Sequence, residues 1–206
     1  MSRYTDAVCR LCRREGHKLY LKGNKCFTKC TLERRPTPPG QHGRTRRPSE
    51  YGTQLREKQK ARRFYGVGEK QFHNYFIRAS KVRGETGTAL MLFLERRLDS
   101  IVYRAGFARS RAEARQIIGH GHIEVNGHKV DIPSYLVSAG DEVKLRPRAM
   151  KLERFKAMAA SLAGHNGPPW MQIDPENWKA TIIRLPERDE VEAPVDERLI
   201  VELYSK

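Results

Sequence analysis

Apolar residues fall at helical spacing along the chain from about position 49 to 119, and alternation with polar residues takes over after that. Ser49 is placed to cap a helix that runs through EYGTQLREKQKARRFYG to Gly66, with Tyr51, Leu55 and Phe64 marking its apolar side. Gly68 opens a second helix with Phe72, Tyr75, Phe76 and Ala79 along one face. TGTALMLFLERRLDSIVYRAGF predicts one or two more helices, ending at Gly106, and holds the longest uninterrupted apolar run, ALMLFL at 89–94. A helix that crosses a bilayer needs about 20 such residues, so this run predicts a core helix and no membrane partner.

The next stretch changes period. Ser110 and Glu113 form a capping box, and behind them Ala114, Ile117 and Ile118 point inward while Arg111 and Arg115, four apart, share the opposite face. Gly119 and Gly121 end that helix. HIEVNGHKV then alternates about Asn126-Gly127, a strong hairpin signal, with Ile123, Val125 and Val130 facing a core. Gly140-Asp141 turns the chain into the strand EVKL, completing a module of about fifty residues of the size a small domain can reach. Residues 147–160 read as an amphipathic helix, and Trp170, Ile173, Trp178, Ile182 and Ile183 mark short strands or a last helix packed on the earlier helices. His120, His122 and His128 flank a glycine turn and a strand edge, which is no arrangement for a metal.

Charge narrows the function. The chain has 206 residues and a formal net charge of +16, a field that draws polyanions. Residues 1–63 hold 18 Lys/Arg against 5 Asp/Glu, while residues 183–206 hold 4 against 7, so contact with a polyanion starts at the N-terminal third. The segment 34–50, RRPTPPGQHGRTRRPSE, has Pro36, Pro38 and Pro39 to extend it and no residues to build a core. It predicts a basic strap, disordered until it lies on phosphate. On the helix after it, Arg56, Lys58, Lys60, Arg62 and Arg63 outnumber Glu57, which predicts a phosphate-facing side.

All four cysteines lie in CRLCRREGHKLYLKGNKCFTKC: Cys9 and Cys12, thirteen intervening residues, then Cys26 and Cys30. The N-terminus MSRYTDAVC has no apolar signal region, which predicts a reducing cytosol where disulfides do not persist. Two short-spaced pairs across a loop suit a tetrahedral ion, and four thiolates leave no position open for substrate. Such an ion is structural: zinc, or alternatively an iron-sulfur cluster, stapling a segment too polar to fold alone. His17 and His42 are not needed in a shell that four cysteines fill. Arg10, Arg13, Arg14, Lys25 and Lys29 overcompensate the net charge of about −2 on a zinc tetrathiolate and turn a basic surface outward. The chain has no G-x-x-x-x-G-K-[ST] loop and no G-x-S-x-G elbow, and no catalytic residue is assigned.

The stretch LDSIVYRAGFARSRAEARQIIGHGHIEVNGHKVDIPSY resembles the RNA-binding module of the small-subunit ribosomal protein four family (universal uS-four). Relatives of that module occur in pseudouridine synthases and tyrosyl-tRNA synthetases, but the four-cysteine finger, RRPTPPGQHG, SEYGTQLREKQKARRFYGV and the terminal DERLIVELYSK also match bacterial members of the ribosomal family. The resemblance implies an α+β chain: a small N-terminal metal-binding finger, a mainly helical body and an inserted small α/β RNA-binding module. The expected boundaries are finger and strap over 1–45, helical body over 46–97, module over 98–164, and a C-terminal segment from 165 that packs back on the helical body. It also implies a primary binder of small-subunit ribosomal RNA at a helix junction, which nucleates assembly of the subunit body. Further implications are contact with small-subunit ribosomal protein five, a link with protein twelve in translational accuracy, a cytoplasmic place beside the channel through which messenger enters, and binding to its own messenger RNA.

On this reading the candidate RNA contacts are Arg3, Arg10, Arg13, Arg14 and Lys22 around the finger and Arg34, Arg35, Arg44, Arg46 and Arg47 in the strap. Arg56, Lys58, Lys60, Arg62 and Arg63 follow on the first long helix, and Arg109, Arg111, Arg115, Gln116, His120 and His122 on the module. Two rival functions stand beside it: a zinc-finger regulator of DNA, which needs a base-reading helix, and an RNA-modifying enzyme carrying the same module, which needs a catalytic domain that this length leaves no room for.

Overall fold

Glycines and proline-rich turns cut the N-terminal segment into short helices. In the computed structural model, which describes residues 4–41 and 48–205, α1 (Cys9–Glu15) stops at Gly16, whose φ of 69° is the left-handed cap that glycine adopts without penalty. α2 (Lys25–Thr28) and α3 (Thr31–Arg34) are single turns. α4 (Glu50–Phe64) starts as the sequence predicts, with the Ser49 hydroxyl accepting from the Gly52 amide at 3.1 Å. α5 (Glu69–Ala79) buries Phe72, Tyr75 and Ala79, and α6 (Thr86–Glu95) carries the apolar run with Leu90, Met91 and Leu94 buried.

The described chain falls into two units, one made of residues up to Met91 together with Glu192–Lys206, the other of Leu92–Val191. The second unit contains α7 (Leu98–Arg104), α8 (Arg111–Gly119), β1 (Ile123–Val125), β2 (His128–Lys129), β3 (Glu142–Leu145), α9 (Pro147–Met150), α10 (Glu153–Ala163), β4 (Met171–Asp174) and β5 (Lys179–Ile182). Asn126 and Gly127 have φ of 51° and 79°, the paired left-handed values of a tight hairpin, and β2 folds back on β1 as expected. The strands make one antiparallel sheet in the order β2-β1-β3-β5-β4.

That order corrects the expected place of the C-terminal segment. Everything from 165 is expected on the helical body, but β5 pairs with β3, Val143 opposite Ala180, and β4 closes the far edge. Without them β3 would present an open row of backbone donors and acceptors. Trp170, Trp178, Met171 and Ile182 join Phe107, Phe155, Ile117 and Ile123 in one core, where large side chains contribute about 1.5–3 kcal/mol each on burial. Trp178 meets Phe107 at 5.7 Å and Phe155 edge-on at 5.6 Å, and Ile183, one residue past the strand, is exposed. Residues from Glu192 onward do rejoin the first unit: α11 (Glu197–Tyr204) packs on α4, with Ile200 buried and the Tyr204 ring against Phe76 and Phe72.

Candidate nucleic-acid interface

The cysteine segment is anchored by fully buried Leu19, and Cys12, Cys26 and Cys30 are buried while Cys9 is half-buried. The Lys22 amide donates to Cys26 Sγ at 3.3 Å, and the backbone of Leu19 hydrogen-bonds Cys12. Burial pushes the Cys12 and Cys26 thiols up; the backbone hydrogen bonds oppose this, and the neighbouring cysteines add to the rise. The donors are therefore soft, buried and electrostatically coupled, which fits the chemistry of a thiolate-bound ion. Among the described residues, however, no three His, Cys, Asp or Glu side chains are gathered as a metal site.

Around this segment Arg10, Arg14, Lys22, Arg34 and Arg35 are exposed. Arg13 is not free: its guanidinium donates to the carbonyls of Thr37 at 2.9 Å and Pro38 at 3.3 Å, tying the first part of the strap to α1. Arg3, His42, Arg44, Arg46 and Arg47 lie outside the described residues.

The basic side of α4 differs from the expected one. Lys58 donates to Glu69 at 2.6 Å, Lys60 to Glu57 at 2.5 Å, and Arg62 to Gln59 at 2.7 Å, while Arg56 and Arg63 both reach Glu15, whose side chain is fully buried. The expected surplus of cations counts Glu57 alone; Glu15 from α1 and Glu69 from α5 enter only through tertiary packing. Lys58 and Lys60 are buried, so they brace the unit, whereas the part-exposed Arg56, Arg62 and Arg63 keep an edge toward solvent.

On the module the same correction applies to Arg111 and Arg115. Arg111 is 6% exposed, with its guanidinium over the Tyr103 ring at 4.6 Å and 3.9 Å from Glu95. Arg115 lies 3.7 Å from Asp99, which in turn holds Arg97 in a fully buried bidentate pair, at 2.9 and 2.6 Å. Arg104 contacts Glu95 at 2.5 Å. These ions pin α8 to the start of α7, and what α8 and its flanking residues then offer outward is Arg109, Gln116 and His120. His120 and His122 sit edge to face at 5.8 Å, and His122 meets Phe155 at 6.2 Å. Burial lowers the His122 pKa, helped by the positive charges of Arg154, His120 and Arg146. Arg146, at the end of β3, and Arg154, inside PRAMKLERFKAMAA, which reads from sequence as a plain amphipathic helix, thus belong with the two histidines; exposed Arg148 and Lys151 lie between them in the chain.

The α7–α8 helix pair on an antiparallel sheet, with exposed cations and hydrogen-bonding side chains beside it, is the kind of small basic module that binds a polyanion. The family model described as the ribosomal protein S4/S9 N-terminal domain matches residues 3–95, and the S4 domain model matches residues 96–143. Small ribosomal subunit protein uS4A of Symbiobacterium thermophilum is 60% identical, and small ribosomal subunit protein uS4 of Syntrophomonas wolfei and of Thermus thermophilus are 53% and 52% identical, each over 100% of both chains. The chain belongs to the small ribosomal subunit protein uS4 family. No described helix is long and apolar enough to cross a membrane.

Proposed function

We propose that this chain is a structural component of the small ribosomal subunit and binds its ribosomal RNA. The observation that carries this is end-to-end identity above half with proteins so named. The chain is not an enzyme, and neither rival function finds support, because relatives named as ribosomal proteins match it over its full length, finger and C-terminal helix included. Affinity comes from displacing counterions, which falls by roughly 0.7 to 0.9 log units per log of salt for each phosphate neutralised. Phosphate contacts hold little base information, so selectivity comes from an RNA fold that touches several basic surfaces together, such as a multi-helix junction. Held in this way, the junction is a nucleus for assembly of the subunit body.

The four cysteines bind one structural zinc on this reading. Bound zinc supplies a cross-link between the Cys9–Cys12 and Cys26–Cys30 turns, and Leu19, Lys22 and the buried thiols already prepare the segment for it. The acidic tail, with 7 Asp/Glu against 4 Lys/Arg over 183–206, faces protein and supports contact with small-subunit ribosomal protein five. The link with protein twelve in accuracy, and binding to the chain's own messenger, rest on the family resemblance. Sedimentation tests the main reading: the chain co-sediments with small subunits through a high-salt wash, and recovery in the soluble fraction contradicts it.

A further inference from the structure

Exposed aromatic rings are costly on a surface whose other residues are charged, and one such ring stands on the cysteine segment. Phe27, next to buried Cys26, is 67% exposed, the most open large hydrophobic side chain among the described residues. It is not loose: the Tyr20 ring stacks on it with centroids 5.0 Å apart and planes 29° from parallel. Tyr20 holds this place from a backbone φ of 51°, a left-handed conformation that a bulky side chain adopts at a cost. Phe27 is thus presented to solvent on a half-buried Tyr20 ring.

The surroundings select the partner. Residues 16–32 contain no Asp or Glu, and Lys22, Lys25 and Lys29, all within five residues of Phe27, are exposed. An apolar protein surface gains nothing from three lysines, whereas a nucleotide has a π face for the ring and a phosphate for the lysines. We infer that Phe27, backed by Tyr20, is a stacking platform for an unpaired nucleobase of the bound RNA, with Lys22, Lys25 and Lys29 holding the flanking phosphates. This rests on the ribosomal RNA-binding reading above and adds to it a contact that reads single-stranded rather than paired RNA. Duplex RNA hides its base faces, so the platform discriminates a bulge or a junction strand from a helix.

The test titrates the full chain with small-subunit ribosomal RNA and, separately, with a blunt-ended RNA duplex. Phe27→Ala is expected to weaken binding to the ribosomal RNA by about 5- to 150-fold, the range for loss of one stacked base. The slope of log affinity against log salt stays at the wild-type value, because no phosphate contact is lost, while Lys22→Ala reduces it by about one. Phe27→Trp restores affinity and Phe27→Leu does not, and duplex binding is unchanged throughout. Wild-type affinity in Phe27→Ala, or equal rescue by leucine and tryptophan, overturns the platform while leaving the RNA-binding reading standing. A defect in Phe27→Ala that shows only when other small-subunit proteins are present assigns the ring to a protein partner and also overturns it. A wild-type chain that binds the ribosomal RNA no better than the duplex overturns the reading on which the platform rests.

Discussion

Arg111 and Arg115 look alike in the sequence to the exposed Arg109 beside them, since charge and spacing are visible there and partners are not. Their partners, Glu95 and Asp99, lie on a neighbouring segment, and both arginines fold onto them. Substituting them is accordingly expected to cost stability as well as any RNA affinity: Arg111→Ala loses about 2 kcal/mol, the value of a desolvated cation over an aromatic ring. Arg97→Ala, which leaves the fully buried Asp99 without its bidentate partner, costs about 3–5 kcal/mol by urea unfolding. His122 adds a pH dependence. Its pKa in the folded chain lies below the ordinary 6.5, chiefly from burial, so the unfolded chain binds more protons as pH falls past that value. Stability is full above 6.5 and declines below it, and His122→Gln flattens the decline in a series of unfolding midpoints.

Helices and the hairpin were legible at the scale of elements because their signals are local: Ser49 and Ser110 both accept the hydrogen bonds that capping predicts. The pairing of β3 with β5 was not, since the two strands are separated by α9, α10 and β4 and meet only in the folded sheet. The buried face of α4 was likewise hidden, because Gln54 and Lys58 are buried there by Glu202 and Tyr204 of α11, about 145 residues on, and long-range closure leaves no trace in local spacing. Tyr51, expected on that face, is exposed. Gly106 ends α7 with φ of 77°, and a Cβ there would stand 2.7 Å from His165, whose Nε2 bonds the Arg104 carbonyl at 2.7 Å. Gly106→Ala therefore destabilises the module by more than about 1 kcal/mol, and thermal melting reads the loss. Removal of the proposed zinc by a chelator is expected to raise hydrogen exchange across residues 9–34 while the sheet of the second unit stays protected, from a colourless protein that releases one zinc per chain. A brown protein contradicts zinc in favour of iron and sulfide.

Over the whole molecule, charge and family pointed the same way as the structure. A net of +16 on a chain that divides into two units suits a protein whose basic surfaces meet a larger polyanion. What the charge count could not separate was which cations face outward. Lys58, Lys60 and Arg111 are buried in ion pairs and contacts of the fold, whereas Arg10, Arg14, Lys22, Arg34, Arg35 and Arg109 are open to solvent, and burial is a property of the folded chain alone. The central claim is selective binding to small-subunit ribosomal RNA through those outward cations. Titration of the full chain with that RNA and with a DNA duplex, over a range of salt, tests it most directly. The expected result is tighter binding to the ribosomal RNA at every salt concentration, with log affinity falling linearly against log salt. Equal affinity for the DNA duplex, or affinity that does not respond to salt, would contradict it.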